Sequence, residues 1–80
     1  RALRRAGRYV EAERRLQAAL AEPWPARARE VLHYELGTIV ERHTGDAQRA
    51  CALWREHLVR FPKTRYAAAI ADAQRRLACE

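Results

Sequence analysis

Along most of the chain the apolar residues recur at intervals of three and four. Tyr9, Ala12, Leu16, Ala19 and Leu20 form one such stripe, which predicts a helix over residues 9–22 with a single buried face. Glu11 and Glu13 stand in its first turn, where a negative charge suits the positive helix end. Pro23-Trp24-Pro25 then forbids continuation, because proline lacks an amide donor and restricts the residue before it. Leu32, Leu36, Ile39, Val40 and His43 predict a second helix over residues 26–43. Thr44-Gly45-Asp46 ends it and opens a third, with Asp46 as N-cap and Ala47, Ala50, Cys51, Trp54, Leu58 and Phe61 as its apolar stripe, closed by Pro62. Thr64 is expected to cap a last helix, whose thinner face holds Tyr66, Ile70, Ala73 and Leu77. Upstream, residues 1–6 read as the end of a further helix and Gly7 as a turn. Five helical pieces joined by short turns imply antiparallel hairpins, and no stretch reads as a strand, so the expected class is all-α.

Gly37 lies in the middle of the second helix at a cost of about 1 kcal/mol relative to alanine. Such a cost predicts a contact that leaves no room for a side chain. Laying GRYVEAERRLQAAL over GDAQRACALWREHL exposes an internal repeat: Gly7 falls on Gly45, Ala12 on Ala50, Leu16 on Trp54 and Leu20 on Leu58, each 38 residues apart. Repetition at this period means stacked supersecondary units that cannot bury their apolar faces singly.

Leu36-Gly37-x2-Val40, then Ala50-x3-Trp54 and Pro62, with Gly45 in the turn, resembles the tetratricopeptide repeat, a helix-turn-helix unit of about 34 residues. Val40 stands where the family has Tyr, and His57 where it has a small residue. The longer spacing is assigned to an extra turn around residues 25–30. The resemblance covers residues 1–25 as a partial unit, 26–62 as a complete unit and 63–80 as a following or capping helix. It implies a fragment of a right-handed solenoid of stacked hairpins, forming a single domain. The run LVRFPKTRYAAAIADAQRRL is also similar to repeats of bacterial envelope-assembly proteins in that family.

In the family, the first helix of each unit lines a concave groove that holds a peptide or partner helix. Carried across by the register of Leu36-Gly37, the resemblance implies that Val31, Tyr34, Thr38, Glu41 and Arg42 face that groove, joined by Arg1, Arg4 and Arg5 of the partial unit. Clustered guanidinium groups can grip carboxylates bidentately, so an acidic or C-terminal peptide is the expected ligand. The bland alternative is that these arginines are solvated, or pair with acidic residues of a neighbouring repeat. Tyr34 is open between groove contact and packing.

Composition narrows the alternatives. Eighty residues bury a marginal core, so the chain is expected to lean on adjoining repeats or a partner; with no Met and the opening run RALRRA, it reads as a piece of something longer. Seventeen alanines carry much of the 49% hydrophobic content. The formal charge is +6, with 15 Arg and one Lys against ten acidic residues. That excess admits a rival role in binding nucleic acid or an anionic surface, but no aromatic residues are interleaved with the basic run. A third reading is a structural or self-associating segment of a larger bacterial protein. No apolar run approaches the ~20 residues that span a bilayer, and both the cell envelope and the cytoplasm fit.

No catalytic chemistry is expected. Serine is absent, and neither a phosphate-cradling glycine loop nor a paired acidic site is present. His33 and His43 are ten residues apart on one helix, about 15 Å in rise, so one ion cannot bridge them. Neither a metal nor a cofactor is expected. Cys51 and Cys79 lack zinc spacing and are read as apolar packing residues, with a disulfide or a reactive thiol as the alternatives. Trp54 is expected in the core; Trp24 either staples its turn or faces a partner.

Overall fold

The computed structural model describes the backbone of residues 2–80 and the side chains of residues 7–80. It is all-helical, with no strand among the described residues: α1 spans Ala2–Leu20, α2 Ala26–Ile39, α3 Ala47–Arg60 and α4 Ala67–Arg76. The last turn of α2 widens into a π-helical turn over Val40–Thr44. Among the described residues, backbones approach closely only between consecutive helices, the π turn counted with α2, and the molecule is a slab measuring 39 × 32 × 16 Å, about two helices deep.

The turn expected at Gly7 is not formed, and the five pieces become four helices. Gly7 lies inside α1, and Gly45 is the glycine with positive φ, at 71°. The residues on either side of Gly7 are good helix formers, and their combined preference exceeds the cost of one glycine. A methyl group at Gly7 would meet nothing within 4 Å. Gly7→Ala is therefore expected to raise the free energy of unfolding by about 1 kcal/mol in urea denaturation. A loss of stability would instead indicate a turn.

The other boundaries follow their local chemistry. Gly45 takes the left-handed conformation that ends the π turn, and the Asp46 carboxylate accepts the Arg49 amide at 3.0 Å, capping α3 as expected. Between α1 and α2, the Arg29 guanidinium donates to the Glu22 carbonyl at 3.3 Å, whereas Trp24 stands 47% exposed. The tie across this turn is thus Arg29, not a tryptophan staple. Thr64 does not cap α4: the N-cap position is Tyr66, without a side-chain bond, and Thr64 accepts the Tyr66 amide at 3.2 Å while serving a different network.

The core is built from Leu36, Val40, Ala50, Trp54, Ile70 and Ala73, with Leu16, Leu20, Leu58 and Leu77 packed at its edge. Trp54 is 2% exposed, as its stripe position predicts. Gly37 explains itself here, since a Cβ on it would sit 2.5 Å from Cζ3 of Trp54. Neither α2 nor the indole ring can yield without disturbing the rest of the core, and overpacking of this kind costs about 1–3 kcal/mol. Gly37→Ala should destabilise by that amount despite the higher helix propensity of alanine. Replacing Trp54 by Leu in the same chain should recover part of the loss, and strict additivity in that double-mutant cycle would contradict the contact.

Cys51 of α3 and Cys79, beyond α4, form a disulfide with Cα atoms 5.6 Å apart. The free packing role expected for them is corrected: the end of α4 returns antiparallel along α3 and brings together positions 28 residues apart.

Candidate binding groove

Between the exposed edges of α2 and α4 lies a small concavity of about 140 Å³. Tyr34 and Thr38 of α2 and Glu41 and Arg42 of the π turn form one wall; Ala69, Asp72, Ala73 and Arg76 of α4 form the other, over a floor provided by Trp54. Four of the residues expected on this surface therefore do converge. Val31, one turn earlier on α2, is half-buried and outside the lining. Arg4 and Arg5 belong to α1 and not to a separate helix; their side chains, and all of Arg1, lie outside the described residues.

The groove residues differ in what they leave available. Glu41 is engaged on both oxygens: Trp54 Nε1 donates to Oε1 at 3.2 Å and Arg76 Nη2 pairs with Oε2 at 2.7 Å. It fixes the floor and ties α4 to the π turn. Thr38 donates its hydroxyl to the Tyr34 carbonyl on its own helix at 3.0 Å. Tyr34 stacks on Tyr66 with centroids 3.9 Å apart and an interplanar angle of 8°, so it packs and lines the groove at once. Asp72 pairs with Arg75. Arg42 is exposed and has no ion-pair partner among the described residues. The groove thus offers one uncommitted cation beside an aromatic wall.

Beneath this surface lies a polar network that sequence reasoning missed. His33 Nδ1 and His57 Nδ1 are 3.0 Å apart, His57 Nε2 lies 2.9 Å from Thr64 Oγ1, and Thr64 donates to Glu30 Oε2 at 2.6 Å. His33 is 3% exposed and His57 fully buried. Burial, and then the neighbouring His33, push the His57 imidazole down to about 4. Burial also lowers His33, opposed by the Glu56 carboxylate. The hydrogen bond from Thr64 holds the Glu30 carboxyl below its ordinary value. Both histidines fall on the core register, three residues before Leu36 and three after Trp54, and this is the signal by which they could have been paired. Thr64 is engaged on three sides: it donates to Glu30, accepts the Tyr66 amide and lies beside His57 Nε2.

His43 stands apart from this pair, on the π turn, where it stacks on Tyr9 of α1 with ring centroids 3.6 Å apart. Arg49 of α3 reaches Glu13 of α1 through two contacts at 2.8 and 3.2 Å, tying α1 to α3. Among the described residues, no group of three or more His, Cys, Asp or Glu side chains could hold a metal ion, and no helix is long and apolar enough to cross a membrane.

Comparison with protein-family models, with curated proteins and with solved structures finds no match.

Proposed function

We propose that the chain is a tetratricopeptide-like interaction module that holds a short extended peptide of a partner protein in the groove between α2 and α4, without catalysis. The observation that carries this reading is the convergence of Tyr34, Thr38, Glu41 and Arg42 with the facing side of α4 in one concavity. Alternate helices line one side of a stack of hairpins; α2 is the helix expected to face a groove, and the wall opposite it is formed by α4, where the arginines of the partial unit were expected as its companions. The Gly37–Trp54 contact supports the same stacking, because it is the small-against-large fit that lets α2 and α3 approach.

The structure also changes the expected ligand. Of the two cations in the groove, Arg76 is neutralised by Glu41, whereas Arg42 has no ion-pair partner among the described residues. A ligand with one carboxylate set beside an apolar or aromatic residue fits this better than a strongly acidic one. On α1, Arg14 and Arg15 pair with Glu11, which reduces the case for a nucleic-acid surface there. The disulfide suits an oxidising compartment, in keeping with the envelope-type resemblance of residues 58–77.

Binders selected from a displayed library of random peptides provide the test. Binding should fall at least about tenfold on Arg42→Glu and on Tyr34→Ala, while the circular dichroism spectrum is retained. Selected peptides that bind both variants as well as the parent chain would refute the groove.

A further inference from the structure

The hydrogen bonds of the buried network have a direction, and it follows from one end. A carboxylate only accepts, so Glu30 Oε2 takes the Thr64 hydroxyl at 2.6 Å and the Arg65 amide at 3.0 Å. With its single proton committed, Thr64 Oγ1 must accept at 2.9 Å from the ring of His57, which therefore carries its hydrogen on Nε2. Neutral His57 then has its lone pair on Nδ1, and the partner 3.0 Å away, His33 Nδ1, must be the donor. This leaves the His33 lone pair on Nε2. Among the described residues, that nitrogen is the buried side-chain polar atom without a hydrogen-bond partner, and Glu56 Oε2 lies 3.6 Å from it.

We propose that His33 Nε2 is a proton-binding site, and that the His33–His57 pair forms a two-stage acid latch on the packing of α2 against α3. The first proton enters at His33 Nε2, turns a lone pair facing a carboxylate into a donor to Glu56, and leaves every other bond of the network as it was. The second has only His57 Nδ1 to enter. There it sets two N–H donors against each other at 3.0 Å, and the network must open.

The surrounding charges support this order. From α2, Glu30 attracts a proton on His57, and the Tyr34 ring meets His57 edge-on. From α3, Glu56 faces His33 through Oε2 while its Oε1 holds Arg60 at 2.8 Å, so Arg60 opposes a charge on His33 without occupying the oxygen that would receive it. From the α3–α4 turn, Arg65 donates its amide to Glu30, and Tyr66, at the N-cap of α4, meets His57 edge-on at 5.9 Å. Both imidazoles sit below their ordinary value, and His57, which has no carboxylate beside it comparable to Glu56, is the harder to charge.

Nitrogen-15 NMR of the imidazole rings, followed from pH 8 downwards, reads both tautomer and order. At neutral pH we expect hydrogen on Nδ1 of His33 and on Nε2 of His57. On acidification His33 Nε2 should protonate first with His57 unchanged, and amide dispersion should be lost only when His57 follows. Glu56→Gln supplies a surface variant that should fold: its amide can donate to His33 Nε2 and fill the site, so His33 should lose roughly tenfold or more in proton affinity while the His57 tautomer is retained. Hydrogen on Nε2 of both rings at neutral pH, protonation of His57 first, or a His33 titration indifferent to Glu56→Gln would each overturn the proposal. Because Tyr66 stacks on Tyr34, opening would also loosen a wall of the groove; that consequence rests on the binding reading above, whereas the titration does not.

Discussion

Reduction of the Cys51–Cys79 bond is expected to lower the free energy of unfolding by about 3–4 kcal/mol, the entropic value for a closed loop of this length. The effect should be large because α4 has little else to hold it. It is ten residues long, its buried residues are Ile70 and Ala73, and its ion pair to the π turn is that of Arg76 with Glu41. Urea denaturation with and without a thiol reductant measures the loss directly. The Cys51→Ala, Cys79→Ala double variant should match the reduced parent and be indifferent to reductant. Since α4 carries one wall of the groove, peptide binding should weaken in both. Equal urea midpoints for the oxidised and reduced chains would show that α4 is anchored by other means.

Acidification from pH 6.5 to 4 is expected to cost about 3 kcal/mol through His57, at roughly 1.4 kcal/mol per pH unit. The sign follows from proton uptake. The unfolded chain takes up this proton near the ordinary value of 6.5, whereas the folded chain resists until about 4. Between those limits the unfolded state binds more protons, so stability falls as the pH falls. Above 6.5 the contribution is complete and flat. His33, also lowered, acts in the same sense, and Glu30 begins to contribute only below its ordinary value of 4.5, where its folded form still resists the proton. Urea midpoints at pH 7 and pH 4 should therefore differ widely, with much of the change in place by pH 5. Equal midpoints at pH 7 and pH 5 would mean that the two rings are solvated and the network is not formed.

What could be read in advance was local. The stripes through Leu36 and Val40 and through Ala50 and Trp54 are buried as their spacing requires, and Gly45 and Asp46 mark the boundary between α2 and α3 because their backbone and capping chemistry is set within a few residues. Gly37 was legible for a different reason: its cost in mid-helix implied a close neighbour, and Trp54 is that neighbour. Gly7 obeyed the opposite logic. With nothing near it, one weak helix former could not interrupt a 19-residue helix. Of the groove, the register placed Tyr34, Thr38, Glu41 and Arg42 on one surface, but it could not show that Glu41 is consumed by Trp54 and Arg76. The register placed His33 and His57 on core faces and the disulfide stood among the alternatives for Cys51 and Cys79, but which residues meet was not legible, because each pair joins positions more than 20 apart, where pairing depends on how helices cross. For the widening of the last turn of α2 into a π turn there was no sequence sign at all.

The measurement closest to the centre of this account is an amide NMR titration of the oxidised, isotope-labelled chain with a selected peptide bearing one carboxylate. Shift changes concentrated at Thr38, Arg42, Ala69 and Asp72, and abolished by Arg42→Glu, are the predicted result. Changes centred instead on α1, or spread over Val59 and the outer face of α3 with the groove amides unmoved, would contradict it.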